Sequence, residues 1–480
     1  MNLRHLILIC SLSVSFCACN KVTDQVPVSD LTKDNFWKSQ ADAEAGLTAV
    51  YNQLQSIASI RLSTMSLRSD EAVTPDVYGW NIQNPGIHDF QNNIVSPSDG
   101  NASWSAFYTG IARANDVLAY VPNITFADAD KNRVLGEALF LRSYFYFVLA
   151  LGWGDVPIII KPYTVVSNEM KVSRDPVDKV YQQIIDDLKT AESLLPDQQP
   201  NAKKNIIRAT KAAAQSLLCE VYLTRGYKSY SVADDFQNAA NEAQAVISSN
   251  YYHLEDGASY GNIFSKGGSK EVILEVSYDY TLNAVNGLSN QFLPRAYSEN
   301  RGFGGDANVL PTKLITDDHE PGDLRTSTNF SVVPSPAVYY DHELAGMPYV
   351  NKYPGTIVTQ GVIRYGDSPW ILYRLSDIIL MKAEALIKLH QLNDAKDLLD
   401  QVRNRAGLGG TTAASEDDVF RAIIKERLYE LCFEGKRWND LVRTGLVSEV
   451  KPAFVDKILV PVPQTDIDRD PNLLPQNPGY

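Results

Sequence analysis

The residues whose types could do chemistry gather in two regions of the chain. In DEAVTPDVYGWNIQN (70–84), Tyr78 and Trp80 stand among Asp70, Glu71, Asp76, Asn81 and Gln83, and NASWSAF adds Asn101 and Trp104 a little further on. Far downstream, NAVNGLSNQFLPRAYSENRGF carries Asn290, Gln291, Tyr297, Asn300, Arg301 and Phe303. Sugar rings offer apolar C–H faces that stack on aromatic side chains, and hydroxyls that need donors and acceptors together. Amides, carboxylates and guanidinium groups meet the second need. Tyr78, Trp80, Trp104 and Tyr297 are therefore candidate stacking residues, with Asn81 and Arg301 as candidate hydrogen-bonding partners. The opposing reading is packing, because loop aromatics often seal a loop onto a core.

Catalysis and metal binding are poorly served. DADKN (128–132) starts like a calcium loop, but Arg133 occupies the turn position that needs glycine and Leu139 replaces the closing Glu. DIDRDP (466–471) fails at Pro471 for the same reason. GLGG (407–410) has no following Lys and Ser/Thr to cradle a phosphate and reads as a helix C-cap. DDHE (317–320) is a single acidic cluster, which reads as a solvated turn. The 6 histidines form no paired motif for acid–base work. No metal, cofactor or enzymatic activity is expected. Glycan cleavage, which needs only two carboxylates, stands as the enzymatic alternative.

A net charge of −13 argues against a nucleic-acid surface, which needs clustered Lys and Arg. At the N-terminus, MNLRHL and the apolar LILICSLSVSF lead to Ala18 and Cys19. That run is shorter than the about 20 residues a membrane helix needs, and it reads as a signal segment over 1–18. The small Ala18 places the cut before Cys19, an arrangement that resembles the lipobox of bacterial lipoproteins and implies that Cys19 carries acyl chains and anchors the chain in a membrane. Cys17 is disfavoured by the bulky Phe16 before it. A metal reading of the pair fails for want of nearby His or further Cys. Cys219 and Cys432 sit in apolar helical patterns, as inert buried thiols do.

The elements that must position these residues are helices. Ala43, Leu47, Val50, Tyr51 and Leu54 form one stripe at helical spacing, and the run 132–151 is apolar on most faces. Asp175 with Pro176 predicts a helix start, and Ser415 with Asp418 another. Residues 218–247 and 382–402 share a pattern: a small residue then Glu (Cys219–Glu220, Ala383–Glu384), a polar turn, then a second helix with Ala239 or Ala395. Ile379, Ala383, Leu386, Ala395, Leu399 and Val402 fit tetratricopeptide spacing. Residues 61–103 and 251–369 break the rhythm and are long enough to carry function. The expected fold is mostly α, a superhelix of tetratricopeptide-like hairpins with long irregular loop regions, divided into 19–250 and 251–480. Helical hairpins also bind peptides in their concave face, so a protein–protein adaptor is the second reading.

Several motifs occur in one order: FWKSQADAEAGLTAVY, EALFLRSYFYFVLALGWGDVPII, RLSDIILMKAEAL, DAKDLLDQVRNRAGL, ERLYELCFEGKRWNDLVR and PVPQTDIDRDPNLLPQNPGY. Together they resemble the SusD/RagB-like lipoproteins of Bacteroidetes outer membranes, with Asp470–Pro471 where many relatives have Asn–Pro. The resemblance implies a helical fold with four tetratricopeptide-like hairpins and surface capture of a glycan or other nutrient. It also implies delivery to a SusC-like TonB-dependent transporter in the outer membrane. It transfers no ligand residue, because these motifs lie in the scaffold. In ERLYELCFEGKRWNDLVR, Glu426, Glu430 and Glu434 share a helix side, and Arg427, Lys436, Arg437 and Arg443 can pair with them or with neighbouring helices. With Trp438 and Leu441 buried, the motif reads as a structural lock.

Overall fold

The computed structural model describes residues 33–74, 85–98, 104–162, 171–265, 268–294, 307–333, 338–339, 342–343, 346–358 and 363–480. Cys17 and Cys19, with the rest of residues 1–32, lie outside them. The main helices are α1 (Gln40–Arg68), α2 (Pro85–Asn92), α3 (Ser105–Tyr120), α4 (Asp128–Trp153), α5 (Val177–Leu194), α6 (Lys211–Gly226) and α7 (Asp235–Ser248). They continue as α8 (Leu288–Phe292), α9 (Leu375–Lys388), α10 (Leu392–Arg405), α11 (Glu416–Leu431) and α12 (Arg437–Thr444). Short strands punctuate the irregular regions: β1 (Ala72–Val73), β2 (Val272–Val276), β3 (Leu310–Pro311), β4 (Phe330–Val332), β5 (Pro348–Val350), β6 (Thr356–Val358), β7 (Ile363–Tyr365) and β8 (Trp370–Arg374). The protein is mostly helical, with consecutive helices packed as tetratricopeptide-like hairpins. One hydrophobic core runs from Ala43 to Leu473 and is shared by the parts on either side of residue 250.

Periodicity becomes packing directly. Ala43, Leu47, Val50 and Leu54 of α1 are buried, and Tyr51 at the edge of that stripe donates from its hydroxyl to Glu137 at 2.8 Å. A capping box that the sequence reading passed over starts α1: the Ser39 hydroxyl accepts from the Asp42 amide, and the Asp42 carboxylate accepts from the Ser39 amide. Helix α4 is buried on nearly every face. It crosses α3 closely at Gly110, where an added Cβ would lie 2.4 Å from the Phe145 ring.

The two repeat copies form the hairpins α6–α7 and α9–α10. Ile379, Ala383, Leu386, Ala395, Leu399 and Val402 are all buried, as are Cys219 and Ala239. Gly407 ends α10 at φ +80°, with its amide on the Asn404 carbonyl and the Leu408 amide on that of Arg403, the paired bonds of a glycine-terminated helix. Ser415 caps α11 as expected, its hydroxyl accepting from the Asp418 amide at 3.1 Å. Asp175 does not cap α5. Its carboxylate accepts from the Ile158 amide, and Asp155, brought in by an earlier turn, accepts from the Val177 amide at 2.8 Å.

The lock motif is a buried charge network. Glu430, 0% exposed, accepts from Arg374 at 2.5 Å, from Arg325 at 2.8 Å and from Arg405. Arg325 also reaches Glu426 at 2.5 Å and Asp323 at 2.8 Å. Beyond the end of α11, Glu434 accepts from Arg374 and from the buried Lys352 ammonium at 2.8 Å. The cations of the motif itself turn elsewhere. Lys436 pairs with Glu220 and Asp377, Arg443 with Glu384, Arg437 with Asp70, and Arg427 with Asp377 and Asp440. Glu220 and Glu384, the matching glutamates of the two repeat copies, thus hold opposite ends of one short segment. Trp438 is 2% exposed beneath the Arg68 guanidinium, 4.3 Å from its ring.

The C-terminal tail is stitched in rather than laid along the surface. Arg68 donates to the Lys457 and Ile458 carbonyls at 2.9 Å, and the Trp153 indole to that of Pro461 at 2.9 Å. Asn477 donates to the Trp153 and Val460 carbonyls at 3.1 and 2.7 Å.

Burial pushes the Glu430 carboxyl up, but Arg405, Arg374 and Arg325 outweigh it and hold it well below the usual 4.5. Glu430→Gln leaves those guanidinium groups short of charge and is expected to lower stability by about 3–5 kcal/mol in calorimetric unfolding. A carboxyl depressed on folding contributes in full above its unfolded value and loses that contribution as pH falls toward its folded one. The gap between wild type and variant should therefore narrow on acidification below pH 4.5.

Candidate functional site

The two irregular regions are joined at their roots. β1, which leads into segment 75–84, pairs antiparallel with β3, which follows segment 295–306, with Ala72 opposite Pro311 and Val73 opposite Leu310. The Thr312 amide donates to the Glu71 carbonyl at 3.0 Å, and its hydroxyl to the Asp70 carbonyl at 2.7 Å. The described residues flanking 295–306 are tied too: the Ala307 amide donates to the Leu293 carbonyl at 3.2 Å, and Val309 to Gln291 at 3.0 Å. Thr74 and Gln91, on either side of 75–84, meet where the Gln91 side-chain oxygen accepts from the Thr74 amide and from its hydroxyl at 2.7 Å. A third irregular stretch begins at Val333 and ends at Met347, whose carbonyl accepts from the Val333 amide at 3.0 Å.

One small apolar cluster lies under all three. Leu293, Ala307, Leu310, Val333, Met347 and Tyr349 are buried together, with Val73 packed against them. It is separate from the main core, and its members flank the ends of the irregular segments. Long loops on such a rigid base are where binding residues are usually placed.

Of the sequence-derived candidates, Tyr78, Trp80, Asn81, Tyr297 and Arg301 fall in the segments rooted here and lie outside the described residues. Trp104 requires a correction. Its indole is only 3% exposed and packs against Tyr108 and Trp153, with ring centroids 5.5 and 6.2 Å away. It cannot offer a face to a ligand. The signal was present in the sequence: Trp104, at the cap of α3, and Phe107, Ile111 and Ala114 within it form one helical stripe, all buried. Asp70 and Glu71 also serve the fold. Asp70 receives two bonds of 2.7 Å from Arg437, and Glu71 is fully buried. Trp370 is 3% exposed in β8.

The structure adds an aromatic pair that sequence reading did not single out. Tyr280 and Tyr365 stack at 4.8 Å with an interplanar angle of 10°, and both are half-buried. Tyr280 rides on a tight turn closed by Asp279 and Ala284, and the turn Tyr280–Leu282 buries no residue of its own. Tyr365 is fixed by close backbone approach: a Cβ on Gly355 (φ +64°) would lie 2.1 Å from the Tyr365 carbonyl oxygen. The two tyrosines come from places 85 residues apart in sequence, and only the folded backbone unites them.

The remaining reactive groups are structural. Burial pushes the Cys432 thiol up to about 12 and the Cys219 thiol well above its usual value, so neither is a nucleophile at neutral pH. Among the described residues no group of three or more His, Cys, Asp or Glu side chains is arranged to hold a metal ion.

Trp104→Ala is expected to lower stability by about 3–5 kcal/mol, as removal of a buried indole does. A melting temperature equal to that of the wild type would place the ring back on the surface.

Comparison with known proteins agrees with this architecture. A family model described as starch-binding and associating with the outer membrane matches residues 27–223, and the SusD family model matches residues 340–455. A SusD-like protein of Formosa agariphila is 28% identical over 511 residues, covering 95% of this chain and 96% of that protein. Among solved structures, a laminarin-binding SusD-like protein superposes with a TM-score of 0.78 at 27% identity, covering 92% of this chain and 100% of that one. A SusD-superfamily protein from Parabacteroides distasonis gives 0.77 at 25% identity, covering 94% and 100%. With its helical hairpins, its lock motif and these likenesses over nearly its whole length, the chain belongs to the SusD/RagB-like family.

Proposed function

We propose that this protein captures glycans at the outer-membrane surface and passes them, unmodified, to a SusC-like TonB-dependent transporter. The observation that carries the reading is the shared root: two segments rich in aromatics and amides, over 200 residues apart, are anchored side by side on one apolar cluster. The laminarin-binding relative supports a carbohydrate as the ligand class. Tyr78, Trp80 and Tyr297 are the proposed stacking residues, Asn81 and Arg301 the proposed hydrogen-bonding ones, and the Tyr280–Tyr365 pair a further aromatic contact. Binding by shallow stacking is weak, roughly micromolar to millimolar, because each sugar hydroxyl exchanges one water bond for another. Weak capture suits hand-over.

Isothermal titration with laminarin and a panel of other soluble oligosaccharides tests this. Trp80→Ala and Tyr297→Ala should each lower affinity several-fold, about 1 kcal/mol per lost stack, with melting temperature unchanged. No binding by the wild type to any glycan tested would sink the reading.

The adaptor reading has one observation in its favour. A groove of about 390 Å³ runs between α7 and the α9–α10 hairpin, lined by Gln237, Asn241, Gln244, Lys382, Asp394 and Asp397. Retained glycan affinity in variants of these residues separates the two surfaces.

The anchor is proposed to be an acylated Cys19. Radiolabelled palmitate should mark the wild type, and Cys19→Ser should lose the label and leave the membrane fraction. Label that survives in Cys19→Ser and vanishes in Cys17→Ser would move the anchor to the other cysteine.

A further inference from the structure

Glu71 is the residue immediately before β1, and its carboxyl group is enclosed. It is 0% exposed, and neither oxygen completes a hydrogen bond. The Ser66 hydroxyl of α1 and the Phe433 amide in the turn after α11 lie on its side and favour the charged form, yet the Ser66 oxygen is also without a partner. The nearest cation, Arg437 of α12, is already committed to Asp70 through two bonds of 2.7 Å. The remaining titratable neighbours are the buried Cys432 thiol and the Tyr353 phenol, and Tyr353 donates to the Phe433 carbonyl at 2.8 Å. Burial holds both of these neutral. Every group that could compensate a carboxylate here is thus neutral or spent on another acid.

Backbone and side chain of Glu71 do different work. Its carbonyl accepts from Thr312 in the ladder that joins the two irregular regions, one residue from the Ala72–Pro311 pair. A protonated carboxyl supplies the O–H donor that the unpartnered Ser66 oxygen can accept, tying α1 to that root. An ionised carboxyl has only acceptors. The Ser66 O–H and Phe433 N–H beside it favour its charge but complete no bond with it, so full compensation needs water or a cation, which it reaches if the root opens.

We propose that Glu71 is a proton-linked positioning residue, whose neutral form seats the paired root of the candidate binding surface and whose ionisation loosens it. Its bearing on ligand capture rests on the function proposed above. The loosening itself does not.

The direction follows from where the carboxyl titrates. Burial, with Asp70 beside it, pushes the group up from its ordinary 4.5 to about 7 in the folded protein. Between those values the folded state holds a proton that the opened state has released, so the seat weakens as pH rises from 4.5 to about 7 and is level above.

Amide hydrogen exchange on the intact protein without ligand reads this directly. After correction for the intrinsic pH dependence, protection of residues 71–73 and 310–312 in the wild type should fall by roughly 50-fold between about pH 5 and about pH 8.5. Helix α9 should show no such change. Glu71→Gln should give a flat profile at the root, and Glu71→Met, similar in shape and unable to ionise, provides the same reading if the amide variant folds poorly. Glu275→Gln should retain the wild-type slope at the root; Glu275 is a buried carboxyl in β2 likewise pushed up by burial to about 7. A flat wild-type profile, or a slope that persists in the Glu71 variant, overturns the proposal. Since no glycan is present, its failure is distinct from a failure of the glycan reading.

Discussion

Glu430 and the guanidinium groups around it are the constraint on which the rest depends. Arg325 comes from the irregular region, Arg374 from the junction of β8 and α9, and Arg405 from the last turn of α10. No local rule brings these three together, and removing any one strands charge in a place water cannot reach. Such a cluster is a poor source of net stability, since the desolvation cost of each ion offsets most of the attraction. It is a strict condition on arrangement. These pairs tie the irregular region, through Arg325, to the hairpins, and β3, β4 and β5 belong to that same region.

The same helix neighbourhood contains carboxyls in opposite situations. Glu430 has more cationic partners than it needs and stays ionised; Glu71 has none to spare and takes up a proton readily. The first fixes the scaffold, and the second lies at the β1–β3 root. The scaffold and the roots of the irregular segments rest on separate cores, the minor one made of Leu293, Leu310, Val333, Met347 and their neighbours.

Much of the scaffold was legible in the sequence because its causes are local. The stripe of Ala43, Leu47, Val50 and Leu54, the small residues Ala383 and Ala395, and the Ser415 cap each follow from spacing within a turn or two. Failures came where a distant group won. Asp175 looks like a cap until Asp155 arrives from an earlier turn. The lock motif left open whether its glutamates pair on their own helix or with neighbouring elements, and they find their cations 23 to 105 residues away. Trp104 was misassigned because its loop context outweighed a helical stripe that begins at the tryptophan itself. The Tyr280–Tyr365 stack had no sequence signal, since neither residue lies in a motif that names the other. The joining of the two irregular regions had no readable signal, because the β1–β3 pairing that brings their roots together spans two residues on each side.

The stitching of the tail bears on when folding can finish. Arg68 and Trp153, on helices made early in synthesis, find their partners 308 to 390 residues later, in the stretch from Lys457 to Asn477. Val460 and Val462 complete the same main core. Until that stretch is in place, the ends of α1 and α4 keep unpaired donors and an open apolar face, so the native state cannot close stepwise from the N-terminal helices alone. The tail acts as the last stone of an arch, and the growing chain stays unlocked until it is set.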